Sequence, residues 1–319
     1  MPRVPEYHQN DTILHERAYA AMARGALAEA SGLFAALLAR EPGDKAYHYM
    51  RGLAHKHMLD WPTSLQHNLR AIELIDEMGE AEHWNAAIPA TGLGDWARAR
   101  ALWRACGISV PDGEGPIVSD YGVAVVRLNP WHGGETVWMR RIDPVRARLL
   151  NVPLPESGQR FNDIVLHDGA STGHRWDGER KVPVFNALQR LEASDFATHV
   201  AFVSCDSAED LRALLDASAP GLGYIEDWTH SIRNYCMRCS CGTPHRHDAP
   251  SEDAWMPDRN LGIAAQSRKS AEKVLSDWMK GGRGRRVDGF EVPEHDIPER
   301  VDGHVWWRTP ASEDDDAED

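Results

Sequence analysis

Three cysteines and two histidines fall within twelve residues of this sequence. They form the pattern C-x2-C-x-C-x3-H-x-H, at positions Cys236, Cys239, Cys241, His245 and His247. Thiolate and imidazole groups are ligands that a tetrahedral zinc ion prefers in proteins. The first two cysteines have the spacing of a metal knuckle. The two histidines point the same way if their segment is extended. The sequence therefore predicts a zinc ion in this segment.

The number of donors bears on the role of that zinc. A structural zinc takes four protein ligands, whereas a catalytic zinc keeps one position open for water. The favoured set is Cys236, either Cys239 or Cys241, His245 and His247, with the fifth donor left over. We therefore expect a structural zinc that staples a loop. The alternatives are a loop of reduced thiols without metal, a redox-active cysteine pair, and a catalytic zinc.

A second group combines carboxylates with imidazoles, the pairing used in general acid–base catalysis. It contains Asp163, His167 and Asp168, with His174 close behind. The more ordinary interpretation is a strand that ends in a turn. Cys205 is in the same way better interpreted as a buried thiol than as a nucleophile. The sequence contains no phosphate-binding glycine loop, zincin helix or nucleophile elbow, and we predict that the chain is not an enzyme.

Composition and charge restrict the class of protein. The 319 residues are 42% apolar and 26% charged, which is typical of a soluble globular chain with two domains. The net charge is −14, and six of the last seven residues are acidic. Such a chain repels nucleic acid and attracts basic partners. No segment has the features of a signal peptide or a membrane span, so we expect a cytoplasmic protein.

A repeat of about 34 residues organises the first third of the chain. Gly25-Ala26-Leu27 precedes Leu59-Asp60-Trp61 by 34 residues. Laid out in frames of about 11–44, 45–78 and 80–113, the sequence resembles the tetratricopeptide repeat family. The matching small, aromatic and proline positions are Ala30, Phe34, Pro42, Gly52, Ser64, Ala71, Ala87, Trp96, Ala99, Trp103, Cys106 and Pro111. The departures are Leu37, Asn68 and Asp76, together with Pro89 inside a predicted helix.

This resemblance implies stacked pairs of helices whose concave face binds peptides or protein surfaces. The positions that would line the groove are aromatic and apolar for the most part: His15, Tyr19, Met22, Tyr49, Leu53, Lys56, Trp84 and Ile88. The basic clamp of chaperone-binding members is not present at the corresponding positions. Two occupants are expected for this groove, namely an external partner or the second domain of the same chain.

The remaining sequence predicts an α+β fold. Residues 112–116 are rich in turn formers and mark a boundary. Strands are predicted at 121–128, 136–142, 147–152, 161–166, 182–185, 198–204 and 305–308, and helices at 207–217 and about 261–279. The expected organisation is a helical repeat domain over 1–114, a mixed α+β domain with the zinc-stapled loop over 115–310, and an acidic disordered tail over 311–319.

The whole chain resembles the repeat-bearing bacterial immunity proteins that are encoded beside antibacterial toxins. The resemblance rests on the repeat array followed by residues 141–148, 152–157 and 164–169 and by the Cys/His segment. It implies a non-catalytic protein that neutralises a basic toxin or effector by direct binding, with Trp131 as a further contact. The alternatives are a metal-dependent hydrolase whose repeats recruit substrate, and an adaptor in a regulatory or secretion complex.

Overall fold

A computed structural model describes residues 6–75, 77–229 and 255–308. Helices come first and are followed by two sheets, so the predicted α+β class is confirmed. Contacts within the chain define two compact units. Within the described ranges, the helical unit comprises residues 6–75, 77–121, 142–145 and 300–308, and the barrel–sheet unit comprises 122–141, 146–229 and 255–299. The Cys/His segment and the acidic tail lie outside the described residues.

The described part of the helical unit contains six α-helices: α1 Glu6–Ala23, α2 Leu27–Leu38, α3 Lys45–Met58, α4 Trp61–Glu73, α5 Glu80–Gly92 and α6 Trp96–Ala105. Helices that follow each other in sequence pack together. The side chains of Asp44, Asp60 and Asp95 each accept a hydrogen bond from the backbone N–H three residues later. These caps satisfy N–H groups that a helix leaves unpaired at its start, and they place the beginnings of α3, α4 and α6.

Asn68, which departs from the repeat pattern, is buried at the packing surface between α3 and α4. Its amide nitrogen donates to the carbonyl of Ser64 at 2.9 Å, and the Ser64 hydroxyl donates to the carbonyl of Gly52 at 2.9 Å. A Cβ on Gly52 would lie 2.6 Å from the Asn68 amide nitrogen. A polar bridge over a glycine therefore joins α3 to α4 at this position.

Residues 300–308 belong to the helical unit although they are distant from it in sequence. The N–H of Gly303 donates to the carbonyl of Gly25 at 2.9 Å, and the N–H of Leu27 donates to Asp302 at 2.8 Å. The Trp307 ring stacks on His57 with 4.4 Å between centroids and packs against the helical core. The predicted strand at 305–308 is wrong: Trp306 is buried, Trp307 packs half-buried against the helical core, and the segment has no strand pairing among the described residues.

The barrel–sheet unit begins with a closed five-stranded barrel: β1 Val123–Leu128, β2 Glu135–Arg141, β3 Arg146–Leu149, β4 Ile164–Trp176 and β5 Lys181–Glu192. Consecutive strands are antiparallel, and parallel pairing of β1 with β5 closes the barrel. Because β1 pairs with β5, neither of these two strands is left with an unpaired edge. Alternate side chains such as Val126, Met139 and Val165 fill the interior.

A four-stranded antiparallel sheet follows, with strand order β7-β8-β6-β9. Its elements are β6 Ala197–Ser204, α7 Ala208–Leu215, β7 Leu222–Asp227, β8 Asp258–Ala265, α8 Arg268–Lys280 and β9 Arg286–Glu291. Two β-α-β units interleave in this order, which is the ferredoxin-like arrangement. Both helices cover one face of the sheet, where Val203, Leu214 and Leu275 belong to the same core cluster.

The helix predicted over about 261–279 is wrong in its first part, because residues 258–265 form β8 and α8 starts only at Arg268. Leu261 and Ile263 face the helices, whereas Ala264 packs with Trp228 on the opposite face. A central strand that is buried on both faces has a continuous apolar sequence. The periodicity of apolar residues alone does not distinguish such a sequence from a buried helix. The start of α7 is confirmed, since Ser207 caps it by accepting from the Asp210 N–H at 3.2 Å.

Candidate functional site

An aromatic cluster lies on α1 and the start of α3 and consists of His15, Tyr19 and Tyr47. The His15 ring lies 4.6 Å from Tyr19 and 5.7 Å from Tyr47, measured between centroids. His15 Nδ1 is 3.1 Å from the Tyr47 hydroxyl. Tyr19 meets the buried Phe34 edge to face at 5.3 Å. The cluster thus packs on the buried Phe34 ring, while His15 is exposed and both tyrosines are partly exposed.

The electrostatic environment of this cluster is negative. Burial raises the pKa of Tyr47, and the nearby carboxylates of Asp44 and Glu41 raise it further. Burial followed by the Asp44 charge raises the pKa of Tyr19 in the same way. A potential that opposes ionisation of a phenol favours cationic groups brought to the same surface. The cluster therefore combines aromatic contact area with attraction for a basic partner.

A second polar bridge joins α3 to α5. The amide of Asn85 accepts from Lys56 Nζ at 2.9 Å and donates to the Tyr49 hydroxyl at 3.1 Å. Lys56 is only 4% exposed, so its charge acts inside the unit. Tyr49 and Lys56 were both predicted groove residues, and the structure brings them together around an asparagine. Asn85 was not among the residues predicted to line the groove, although it falls in the first helix of the third predicted repeat.

The other predicted groove positions divide between core and surface. Met22 and Ile88 are buried in the helical unit. Leu53 is half-buried against the core that surrounds Phe34. Trp84 is also half-buried and meets Trp103 edge to face at 4.7 Å. The side chains that remain accessible are therefore His15, Tyr19, Tyr49, Leu53 and Trp84, to which the structure adds Tyr47.

A Ser–His–Asp network also lies in the helical unit, and no pattern in the sequence indicated it. Ser31 Oγ is 2.8 Å from His55 Nε2, and His55 Nδ1 is 3.0 Å from Asp60 Oδ2. Hydrolases use the same order of groups. Here Ser31 is buried in the middle of α2 and Asp60 caps α4. Burial lowers the pKa of His55, while Asp60 opposes that shift. The network ties α2, α3 and α4 together.

The Asp163 carboxylate proves to be a structural group of the barrel–sheet unit. It is fully buried, accepts from the N–H of Arg160 at 2.8 Å and from that of Ser194 at 2.7 Å, and lies 3.4 Å from Arg190. Burial raises the pKa of this carboxyl, and these hydrogen bonds and Arg190 oppose the shift. All of these contacts fix the backbone just before β4.

His167 is equally buried, in the barrel. Its Nδ1 lies 2.7 Å from the carbonyl of Asp168, and its ring is 5.0 Å from Phe185. Burial lowers the pKa of His167 to about 4, so the ring is neutral near neutral pH. His174 lies exposed further along β4, opposite Pro183. The hydrogen bond that His167 makes goes to a backbone carbonyl and not to a carboxylate.

Two further predicted positions have structural contacts. Cys205 is buried, and burial raises the pKa of its thiol, which makes it a poor nucleophile at neutral pH. Trp131 is half-buried, and its indole nitrogen donates to the carbonyl of Pro298 at 2.7 Å. Its ring is thus held by the chain itself, with part of its surface exposed.

A pair of carboxylates that the sequence did not reveal lies where the barrel meets the sheet. Glu135 accepts from the N–H of Leu154 at 3.1 Å, and Glu226 accepts from the N–H of Val152 at 2.7 Å and the amide of Asn151 at 2.7 Å. Burial raises the pKa of Glu135 to about 8, and the Glu226 charge adds to the shift. Burial also raises the pKa of Glu226. Both carboxylates hold the same short loop.

The predicted zinc ligands Cys236, Cys239, Cys241, His245 and His247 lie outside the described residues. Within the described ranges, no three histidine, cysteine, aspartate or glutamate side chains come together in a way that would hold a metal ion. Of the helices in those same ranges, none has the length and apolar character needed to cross a bilayer.

No protein-family model and no curated protein matches the sequence. The function has to be inferred from the side chains that each unit exposes and buries.

Proposed function

We propose that this chain is a non-catalytic protein-binding protein and that its helical unit, a tetratricopeptide-like array, provides the main contact surface. The observation that carries this proposal is the aromatic cluster of His15, Tyr19 and Tyr47. Aromatic rings that pack on a buried side chain lose little conformational freedom on binding, and such rings dominate the energetics of protein interfaces. Tyr49, Leu53 and Trp84 extend the accessible apolar surface on α3 and α5.

The charge of the chain indicates the chemistry of the partner. The net charge is −14, and Asp44 and Glu41 make the surroundings of Tyr47 negative. A basic protein would be attracted and its association accelerated, whereas nucleic acid would be repelled. The most specific form of the proposal is an immunity protein that neutralises a cognate basic toxin. A structural zinc held by the Cys/His segment belongs to the same proposal.

The buried titratable groups support binding over catalysis. The Asp163 carboxylate is occupied by two backbone N–H groups and Arg190, and Ser31 is enclosed between helices. A catalytic group has to reach a substrate. A cytoplasmic location fits an inhibitor that acts before its toxin damages the producing cell.

The proposal is tested by co-expression with the product of the neighbouring gene. We expect that product to arrest growth alone, to be tolerated when this chain is present, and to elute with it as one complex in gel filtration. A complex that forms and is abolished by His15→Ala with Tyr19→Ala would support the assigned surface. A neighbour that is harmless alone, or that stays toxic without forming a complex, would contradict the immunity function.

The zinc is tested separately by elemental analysis of the purified chain. We expect about one zinc per chain, lost in Cys236→Ser together with some thermal stability of the barrel–sheet unit. A metal-free protein, or a variant that melts like the parent, would contradict the structural zinc and leave the binding proposal unaffected.

A further inference from the structure

Two histidine side chains of the helical unit meet between α3 and α4. Nδ1 of His48 lies 2.9 Å from Nδ1 of His67, and the ring centroids are 5.1 Å apart. His67 is only 7% exposed, and His48 is partly exposed. Neither ring of this histidine pair belongs to the aromatic cluster or to the Ser–His–Asp network. Two ring nitrogens at this distance share one hydrogen bond, in which one ring donates and the other accepts.

The second nitrogen of His48 determines which ring donates when both are neutral. Nε2 of His48 lies 3.2 Å from the carbonyl oxygen of Pro42, which can only accept a hydrogen bond. A neutral imidazole has a single N–H, so a neutral His48 that donates to Pro42 has no proton on Nδ1. His67 then donates from its Nδ1 to Nδ1 of His48.

The histidine pair tolerates one added proton but not two. With one added proton, one of the facing nitrogens can still accept from the other, and the hydrogen bond is kept. With two, both facing nitrogens carry an N–H, so the hydrogen bond is lost and two cations lie in contact. The second protonation therefore acts against the packing of α4 on α3.

The side chains of α3 that lie closest to His67 make the second protonation harder. The His55 ring lies 6.5 Å from the His67 ring and nearly parallel to it. Burial, together with the charges of Arg51, His48 and His55, lowers the pKa of His67 to about 4. The carboxylate of Asp60 is hydrogen-bonded to His55, so it compensates a charge on that ring and not on the histidine pair.

Neighbouring elements do not compensate a second charge on the histidine pair. Arg70 and Glu73 line an open hollow beside it and form an ion pair with each other at 2.7 Å. In the described part of the chain, no carboxylate forms a hydrogen bond or ion pair with either ring. The other charged or titratable residues on α2, the loop before α3 and α5 are Glu29, Arg40, Glu41, Asp44, Glu80, Glu82 and His83. The charges that lower the pKa of His67 all belong to α3.

We propose that the histidine pair is a pH-sensitive contact that holds α4 against α3 at neutral pH and is lost in acid. Because the pKa of His67 is lower in the folded chain than its ordinary value of 6.5, the folded state binds this proton less readily than the unfolded chain does. The contribution to stability is therefore complete above about pH 6.5 and is lost as the pH falls through about 4. This sensitivity does not depend on the proposed protein partner.

The test compares the full chain with His67→Asn at pH 7 and pH 4.5. The asparagine amide can donate to Nδ1 of His48 and does not titrate. Amide hydrogen exchange, corrected for its intrinsic pH dependence, gives the equilibrium constant for opening of α3 and α4. Between the two pH values we expect this constant to rise at least about tenfold more in the parent than in His67→Asn. His304→Asn, at an exposed histidine of the same unit, should respond like the parent.

A second measurement uses the parent alone and does not require a variant to fold. It follows the histidine ring resonances by nuclear magnetic resonance as the pH is lowered. We expect His67 to titrate below about pH 5, and hydrogen exchange in α3 and α4 to speed up over the same range. The proposal is overturned if His67 titrates near pH 6.5, or if acid opens α3 and α4 equally in the parent and in His67→Asn.

Discussion

The two units of this chain use polar and aromatic side chains in opposite ways. The helical unit leaves His15 and both tyrosines of the aromatic cluster accessible above a buried phenylalanine. The barrel–sheet unit encloses Asp163 and His167 completely, and it supplies internal partners for the Asp163 carboxylate and for Nδ1 of His167. The residue types that first suggested catalysis are therefore engaged in holding the fold. The residue types that suggested binding are the ones that a partner can reach.

The cause of this difference lies in the backbone of each unit. Within paired helices the backbone groups satisfy each other except at the ends, where Asp44, Asp60 and Asp95 accept the first N–H groups, so most other side chains are left to pack and to bind. A small barrel with short irregular connections leaves backbone N–H groups unpaired, and carboxylates such as Asp163, Glu135 and Glu226 accept them. Acidic side chains in the barrel–sheet unit thus accept backbone hydrogen bonds that regular secondary structure would otherwise satisfy.

The largest effect is expected from Asp163→Ala in the barrel–sheet unit. This change leaves Arg190 without its buried counter-charge and two backbone N–H groups without an acceptor. The free energy of unfolding should fall by about 3–5 kcal/mol, as measured by urea denaturation. Asp195→Ala, at an exposed position in the same unit, should have a much smaller effect. Equal effects of the two changes would contradict a structural role for Asp163.

Glu135→Gln should have the next largest effect, and in the stabilising direction. The folded-state pKa of Glu135 is raised to about 8 from an ordinary value of 4.5. Its contribution to stability is therefore complete below pH 4.5 and is lost as the pH rises through 8. The pKa difference corresponds to at most about 5 kcal/mol at pH 9. Because Glu135 is partly exposed, solvent screening reduces this figure, and the variant should be about 3 kcal/mol more stable than the parent at pH 9 and nearly equal to it at pH 4.

Denaturation across this pH range checks that prediction, with Glu156→Gln as the control at a nearby exposed carboxylate. If the difference in the free energy of unfolding between the parent and Glu135→Gln stays constant from pH 4 to pH 9, the pKa of Glu135 is not raised by folding and the prediction is wrong.

Trp307→Ala tests whether residues 300–308 are an integral part of the helical unit. Trp307 is half-buried, stacks on His57 and packs against the core around Phe34. Its removal should cost about 2 kcal/mol, below the 3–5 typical of a fully buried tryptophan. Amide hydrogen exchange should speed up in α1 and α3. Val301→Ala removes a side chain that is 73% exposed and should leave hydrogen exchange unchanged. Unchanged exchange in Trp307→Ala as well would show that residues 300–308 are not an integral part of the helical unit.

The sequence was informative where local rules decide the structure. The repeat frame placed Trp96 at one of its matching positions and Asp60-Trp61 at the repeat spacing, and Trp61 and Trp96 are the first residues of α4 and α6. The first six strands were predicted, whereas β8 was assigned to a helix because its apolar residues serve both faces of a sheet. Contacts between distant segments, such as Gly25 with Gly303, leave no local pattern.

The candidate site was predictable to a similar degree. The repeat frame located His15, Tyr19 and Tyr49 on the correct helices. It did not foresee that Met22 and Ile88 would be buried, because a repeat pattern gives the face of a helix but not the depth of each side chain.

The central claim, that the aromatic cluster is the contact surface for a protein partner, is tested most directly by the affinity of the neighbouring gene product for the double variant His15→Ala with Tyr19→Ala. We predict a loss of at least about 10-fold, or 1.4 kcal/mol. The control is Leu93→Ala with Val118→Ala, which removes two exposed apolar side chains of the same unit away from the cluster, and it should bind like the parent. Equal affinity of both double variants for the partner would contradict the claim.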